Sequence, residues 1–443
     1  MVGLMGGALA IPKITTEDEP DEHLNPMVSF VDEAGRPKRP WWVKKSPQPT
    51  IEIDWQSMGR FSAEDAIMGS RLNKYFSQSE IDALNETEQR VLTEGIQQNI
   101  NGYSLKDNVL SDTFRMDAFS AMSLLGPPVV SPQERGGVPW SGSQDEAARI
   151  LRAAMRMFGA AQIGFVELNE NTRKLIYQND SDGKEIRFED VDRAYETDDA
   201  RVIPDKAKWV ISFTVRMSIE NMKHAPSLIP RFSTYCGYSR ARYVQAHTQA
   251  FISGLGYQCI APPRQNGLGL STAFAVLAGH GEMSRLNRMI TPEYGPMVQA
   301  FILITDLPVA TDQPIDAGIF EFCKTCKKCS ESCPSAALSI EDEPTWETRG
   351  GWNNPGHRAY FEDSSRCISY WKETASDCSI CFSVCPFSKK DTAWIHSFVR
   401  AGVAVLPQLD GFYRSMDDAM SYGAKKDISE WWYLDLPEYG LHS

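Results

Sequence analysis

Several things are scarce in this chain, and each scarcity narrows what it can do. Its 443 residues hold no uncharged apolar run near the roughly 18 residues of a membrane-crossing helix, so none is expected. Cations are outnumbered, with 45 Lys plus Arg against 58 Asp plus Glu and a net charge of −13. Affinity for nucleic acid rests on clustered cations that neutralise phosphates, so no nucleic-acid partner is expected. The seven histidines are scattered, form no H-E-x-x-H zinc motif, and each reads as an ordinary surface or core residue. The stretch 267–281 (GLGLSTAFAVLAGHG) lacks the third glycine of G-x-G-x-x-G and a clean strand–turn–helix setting, which argues against a dinucleotide site. Cysteine is sparse at ten, and too unevenly spread for a disulfide-stapled secreted domain.

What is present is globular material. Apolar residues make up 42% and charged residues 23%, and eleven Trp with twenty Phe supply a substantial core. The length suits two or three domains. Residues 1–12 (MVGLMGGALAIP) are small and apolar, and Ala8-Leu9-Ala10 fits a small-x-small processing site, but no charged n-region or twin-Arg pair precedes them. The trimmed tail of an export signal and a buried terminus both fit. Residues 13–50 are acidic, then proline-rich at Pro37, Pro40, Pro47 and Pro49, and carry Trp41-Trp42-Val43-Lys44-Lys45; they read as an extended arm. Short helical patterns fill 51–125, and a loop runs from Gly126-Pro127-Pro128 to Gly136-Gly137.

The clearest helix begins at Ser143, where Ser143 and Glu146 form a capping-box pattern. Ala147, Ile150, Leu151, Ala154 and Phe158 recur at one-face spacing, and Gly159 suits the end. Strands are predicted at 163–166, 209–215 and 301–304, with a helix at about 242–255 between the last two. Helices and strands therefore mix through the middle of the chain, giving an α+β class.

Eight of the ten cysteines lie between Cys323 and Cys385. The segment Cys323-Lys-Thr-Cys326-Lys-Lys-Cys329-Ser-Glu-Ser-Cys333-Pro334 is the C-x2-C-x2-C-x3-C-P run of bacterial ferredoxins, in which the fourth cysteine serves the other cluster. A partner run follows: Cys367, then Cys378-Ser-Ile-Cys381-Phe-Ser-Val-Cys385-Pro386, with a loop inserted after its first cysteine. The pseudo-symmetric assignment gives one [4Fe–4S] cluster to Cys323, Cys326, Cys329 and Cys385, and a second to Cys333, Cys367, Cys378 and Cys381. Lys324, Lys327 and Lys328 would offset the charge of a tetrathiolate. Structural zinc also takes four thiolates, but its cysteine pairs usually lie far apart, and iron–sulfur is the favoured reading. Cys236 and Cys259 read as buried apolar residues.

With these features in view, the sequence resembles the corrinoid-dependent reductive dehalogenases, from about residue 143 to 432. The resemblance rests on the helix after Ser143 ending in Gly159-Ala160, on Phe251-Ile252-Ser253-Gly254-Leu255-Gly256-Tyr257, on Gly279-His280-Gly281-Glu282-Met283-Ser284-Arg285, and on Ile290-Thr291-Pro292-Glu293-Tyr294-Gly295-Pro296. It continues through Thr305-Asp306-Leu307-Pro308, the first cysteine run, and Ser429-Glu430-Trp431-Trp432. It implies a nitroreductase-like core (143–310) binding a base-off cobamide, a two-[4Fe–4S] ferredoxin-like module (311–400), an N-terminal arm and helical region (1–142), and a C-terminal segment packed on the core (401–443). The absence of a D-x-H-x-x-G cobalt-ligating motif agrees with base-off binding.

The same resemblance implies removal of halide from a small organohalide in organohalide respiration, with a tyrosine supplying a proton. The proton donor falls on Tyr238, with Tyr235 and Tyr243 as rivals, and the active-site Asn on Asn266. The family's arginine falls on Gln299, a departure that removes a positive charge, for which Arg264 or Arg242 would have to stand in. The implied partners are a small integral-membrane anchor subunit, an electron donor from a respiratory chain, and a second copy in a homodimer. The implied place is the outer face of the cytoplasmic membrane, with the export signal not present in this sequence. Two alternatives stay open: an epoxyqueuosine-reductase-like cobalamin and iron–sulfur enzyme, and an electron-transfer subunit without its own substrate.

Overall fold

The computed structural model describes residues 31–67, 72–118, 121–264, 267–389, 394–420 and 423–441. At its centre is a four-stranded antiparallel sheet, in spatial order Gln162–Glu167, Trp209–Arg216, Val298–Thr305 and Cys259–Ile260. The predicted strands all fall within it. Alternate residues of the two central strands go to opposite faces, as the pleat requires. Ile211, Phe213, Val215, Phe301 and Leu303 join one core with Leu151, Met155, Val244 and Ile252 from two helices, while Val210, Ile302 and Ile304 join the other with Ile176, Ile186 and Phe274. Phe213 pairs with Phe301 in register, and their rings stack at 5.4 Å.

The helix Gln144–Met157 starts as expected, with the Ser143 hydroxyl accepting the Glu146 N–H at 3.1 Å, and stops before Gly159 at φ +98°. Its buried stripe is Ala147, Ala148, Leu151, Arg152 and Met155, turned away from the expected Ile150 and Ala154. The turn has a cause outside the helix: Arg152 is drawn inward by Asp312 at 2.5 Å. The next long helix is Ile229–Gly254, with Pro230 in its first turn; it begins well before the expected residue 242. Phe232 anchors that early part by packing edge-on against Trp431 at 5.3 Å.

Residues 51–125 hold longer helices than their patterns indicated: Gln78–Gln97, opened by a full Ser77–Glu80 capping box, and Leu105–Ala118, which packs on the long helix. The arm is more than an extension. Lys44–Lys45 pairs with Ile315–Asp316, and Trp42 is buried in the apolar cluster that includes Cys323, Cys326 and Cys385. The large apolar ring explains the difference, because a buried indole removes far more surface from water than the flanking prolines and lysines. At the far end, the Trp431 indole N–H donates to Asn221 Oδ1 at 3.0 Å and the Trp432 N–H to Asp107 Oδ1 at 2.7 Å. Among the described residues no helix is long and apolar enough to cross a membrane.

Candidate functional site

The cysteine module repeats its backbone as well as its sequence. Helix Ile319–Cys326 ends at Lys327, φ 50°, and the short helix Lys328–Glu331 follows. In the second run Ser379, φ 68°, follows Cys378 and opens the short helix Ile380–Ser383. Each left-handed residue turns the chain between a cysteine before it and one after it, Cys326 and Cys329 in the first run and Cys378 and Cys381 in the second. The two short helices pack together.

Cys323, Cys326 and Cys329 line a cavity of about 20 Å3 together with Cys385, which arrives from the other run. Cys333, Cys367, Cys378 and Cys381 meet on the wall of a second, larger cavity. None of the ten cysteines is in a disulfide. Burial pushes the thiols up, Cys326 to about 12 and Cys378 to about 11, and neighbouring cysteines of the same quartet push Cys385 and Cys381 further. Left as thiols, these groups stay protonated. A cationic iron centre would reverse that, since metal binding needs and stabilises thiolates. Among the described residues no three His, Cys, Asp or Glu side chains converge tightly enough for a single metal ion. Thiols spread around a cavity suit a four-iron cubane, whereas tetrahedral zinc needs all four sulfurs at about 2.3 Å from one point.

The larger cavity holds about 380 Å3, within the usual range for ligand sites. Its wall is mainly apolar, with Met217, Met222, Leu270, Val298 and Phe301 among the lining, and the second cysteine quartet contributes to the same lining. Tyr238 lines it from the long helix, its ring edge-on to Phe301 at 6.0 Å. Gln299 lines it from the central strand and donates its amide N–H to Thr234 O at 3.2 Å. Gln299 Oε1 and Ser271 Oγ, both on this wall, are buried without a partner. Gly237, beside Tyr238, leaves the space into which the Gln299 carboxamide fits; a Cβ there would fall inside contact distance of Oε1.

The rival phenols separate cleanly. Tyr243 is 56% exposed and stacks on His247, while Tyr235 lies beside Arg231 with its hydroxyl pushed up to about 12 by burial; neither lines the cavity. Asn266 lies outside the described residues. Neither proposed replacement for the family arginine reaches the site: Arg264 pairs with Asp182 at 2.7 Å, and Arg242 is also absent from the lining. The cavity's own arginine is Arg288, paired with Glu362 at 2.5 Å, which the sequence reading passed over. Tyr177 and Tyr370 were passed over too, for want of any pattern that separates a cavity phenol from a core one. Among the described residues no histidine lines this cavity. His280 is buried elsewhere, its Nε2 3.2 Å from Ser212 O, and burial pushes it down to about 3. A larger cavity of about 760 Å3 under the arm contains none of the cysteines, and charged side chains on its wall pair across it, Arg36 with Asp312 and Arg39 with Glu293.

Residues 38–118 and 116–309 match the family described as reductive dehalogenase subunit. The chain belongs to the reductive dehalogenase family. The match reaches back to residue 38, beyond the point where the resemblance was legible. Residues 322–388 match the 4Fe-4S double cluster binding domain. The tetrachloroethene reductive dehalogenase of Sulfurospirillum multivorans is 38% identical over 309 residues, 67% of this chain and 61% of that protein. The trichloroethene reductive dehalogenase of Dehalococcoides mccartyi is 32% identical over 343 residues, 68% of this chain and 59% of that one. The chain thus spans about three fifths of the length of these relatives. Its fold is shared with a solved reductive dehalogenase described in terms of B12-dependent dehalogenation, at a TM-score of 0.61 and 19% identity, over 89% of this chain and 51% of the other.

Proposed function

We propose that this chain reductively dehalogenates a small organohalide, in the balance R–X + 2e⁻ + H⁺ → R–H + X⁻. One observation carries the reading: the second cysteine quartet and Tyr238 line the same cavity. Electrons and a proton brought to one cavity are what that balance needs. Membership of a family whose relatives are named for chlorinated ethenes supports the substrate class.

Cys323, Cys326, Cys329 and Cys385 would hold one [4Fe–4S] cluster, and Cys333, Cys367, Cys378 and Cys381 the other. A base-off cobamide in the cavity lined by Tyr238 and the second quartet, within a nitroreductase-like core, would supply the two-electron centre at which the carbon–halogen bond breaks. The unpartnered Gln299 Oε1 and Ser271 Oγ fit such a group, because a corrin rim carries carboxamide N–H donors. Tyr238 holds its phenol proton at the wall and gives it to the carbon that loses halide, phenols being protonated at neutral pH. The methionine, leucine and phenylalanine wall excludes water that would otherwise compete as proton source.

The resemblance alone supports the wider setting: attachment to a small membrane anchor at the outer face of the cytoplasmic membrane, electrons from a respiratory chain, and a homodimer. The test is anaerobic reconstitution followed by metal counting and halide release. The reading expects about eight iron, eight sulfides and one cobalt per chain, with halide released from chloroethenes. Iron without cobalt uptake or halide release would return the chain to a plain electron carrier.

A further inference from the structure

Arg285 heads the fully buried side chains at 1% exposure. Its guanidinium donates only to carbonyl oxygens: Nε to Cys323 O at 2.8 Å, Nη1 to Ser339 O at 2.9 Å and Glu341 O at 2.6 Å, and Nη2 to Lys324 O at 3.2 Å. It also lies 3.9 Å from the centre of the Tyr360 ring. These contacts occupy four of its five N–H groups and leave its charge without a paired carboxylate. Asp342 feels that charge, but is exposed and paired with Lys327.

A buried cation without a counter-ion is costly, so an anion is due nearby. What lies nearby is the first thiol quartet. Arg285 lines the small cavity with Cys323, Cys326, Cys329 and Cys385. Its main-chain N–H is directed at the Cys323 thiol, and its charge acts on Cys323 and Cys329. The second quartet differs, because its neighbouring arginine, Arg288, is already neutralised by Glu362.

We propose that Arg285 is the fixed counter-charge of the cluster held by Cys323, Cys326, Cys329 and Cys385, and that it raises that cluster's reduction potential. The inference rests on the cluster assignment above. A four-thiolate [4Fe–4S] centre is anionic and becomes one unit more negative on taking up one electron, with no proton required. A fixed cation in a low-dielectric surrounding favours the more negative, reduced form. Arg285 acts through the cluster and is a positioning residue in electron delivery.

The experiment compares wild type, Arg285→Met and Arg285→Lys, each prepared anaerobically, with iron counted before an EPR redox titration that resolves the two clusters. In Arg285→Met the reduced-to-oxidised ratio of the first cluster at a fixed potential should fall at least tenfold, about 59 mV for a one-electron couple. The second cluster should move by less than about threefold. Arg285→Lys should restore most of the potential near neutral pH. Its midpoint should then drift down towards about pH 10, because an ammonium can lose its proton where a guanidinium cannot, while wild type shows no such drift. An unchanged first-cluster ratio in iron-replete Arg285→Met, or equal shifts in both clusters, overturns the proposal. If that variant does not assemble the first cluster, the lysine variant decides, and a midpoint indifferent to pH overturns it. Wild type without iron would instead overturn the cluster assignment, a failure visible before any variant is made.

Discussion

Gly237→Ala is the most local probe of the cavity wall. Gly237 sits in the interior of the helix Ile229–Gly254, where replacing glycine by alanine ordinarily favours the helix by about 1 kcal/mol. Here the added methyl would land on Gln299 Oε1, and the carboxamide would have to retreat by more than an ångström. Retreat breaks its hydrogen bond to Thr234 O, worth about 1 kcal/mol, and drives a polar group into an apolar space. The expected sum is near zero or about 1 kcal/mol destabilising, with turnover reduced because the displaced amide enters the space beside Tyr238. Removing the obstacle reverses the sign: in a Gln299→Ala background the same Gly237→Ala change should stabilise by about 1 kcal/mol. Urea unfolding of the four proteins gives the coupling directly, expected at about 1 kcal/mol or more, and halide release should show no further loss from Gly237→Ala once Gln299 is gone. Equal stabilisation in both backgrounds would refute the packing argument.

Tyr238→Phe should retain iron and cobalt but lower turnover by about 10²–10⁴-fold, the usual cost of losing a general acid; near-normal halide release would move the role to Tyr177 or Tyr370, the other phenols on the wall. Cys385→Ser should damage the cluster of Cys323, Cys326 and Cys329, and Cys333→Ser the cluster of Cys378 and Cys381, so cluster-resolved EPR showing each run losing its own cluster would contradict the crossed assignment. His280 carries a pH prediction. Its folded value of about 3 lies below the ordinary 6.5, so the neutral ring's contribution is complete above 6.5 and is lost as pH falls towards 3, at about 1.4 kcal/mol per unit. His280→Gln should flatten that acid limb in unfolding midpoints measured between about pH 6.5 and 4, and an unchanged limb would exclude His280 as its source.

Much of the cluster site was legible because its chemistry fixes its spacing. Three thiolates on one loop and a fourth sent to a partner can be read without knowing any tertiary contact, and Cys385 accordingly meets the first quartet. The helix after Ser143 was legible for a similar reason, since its cap is local. Its buried stripe was not, because the Arg152–Asp312 pair joins residues 160 positions apart and overrides apolar periodicity. Residues 229–241 gave no helical signal because the small residues Ser233, Cys236 and Gly237 take buried positions where a regular apolar stripe would be expected. Tyr238 could be singled out only by resemblance. Arg288 and Tyr177 had no signal at all, because lining a cavity is a property of the assembled fold.

The segment joining core and cluster module bears on whether the module is a detachable carrier. The Glu282 carboxylate, 1% exposed, accepts the N–H groups of Ala317 at 2.6 Å and of Ile319 and Phe320 at 3.2 Å, capping the helix that bears Cys323 and Cys326. Burial pushes that carboxyl up and the three N–H groups oppose the push, as expected of an anion held at a helix start. Three residues on, Arg285 holds the carbonyls of Cys323 and Lys324 from the same core segment. Three further, Arg288 lines the large cavity beside the second quartet. One short stretch of core chain therefore grips the first cysteine loop and forms part of the wall onto which the second opens. A carrier that hands electrons to another protein needs its terminal centre at the surface. Here Cys381 is half-buried and lines the cavity that also holds Tyr238, the arrangement expected if the electrons are consumed inside the chain as proposed.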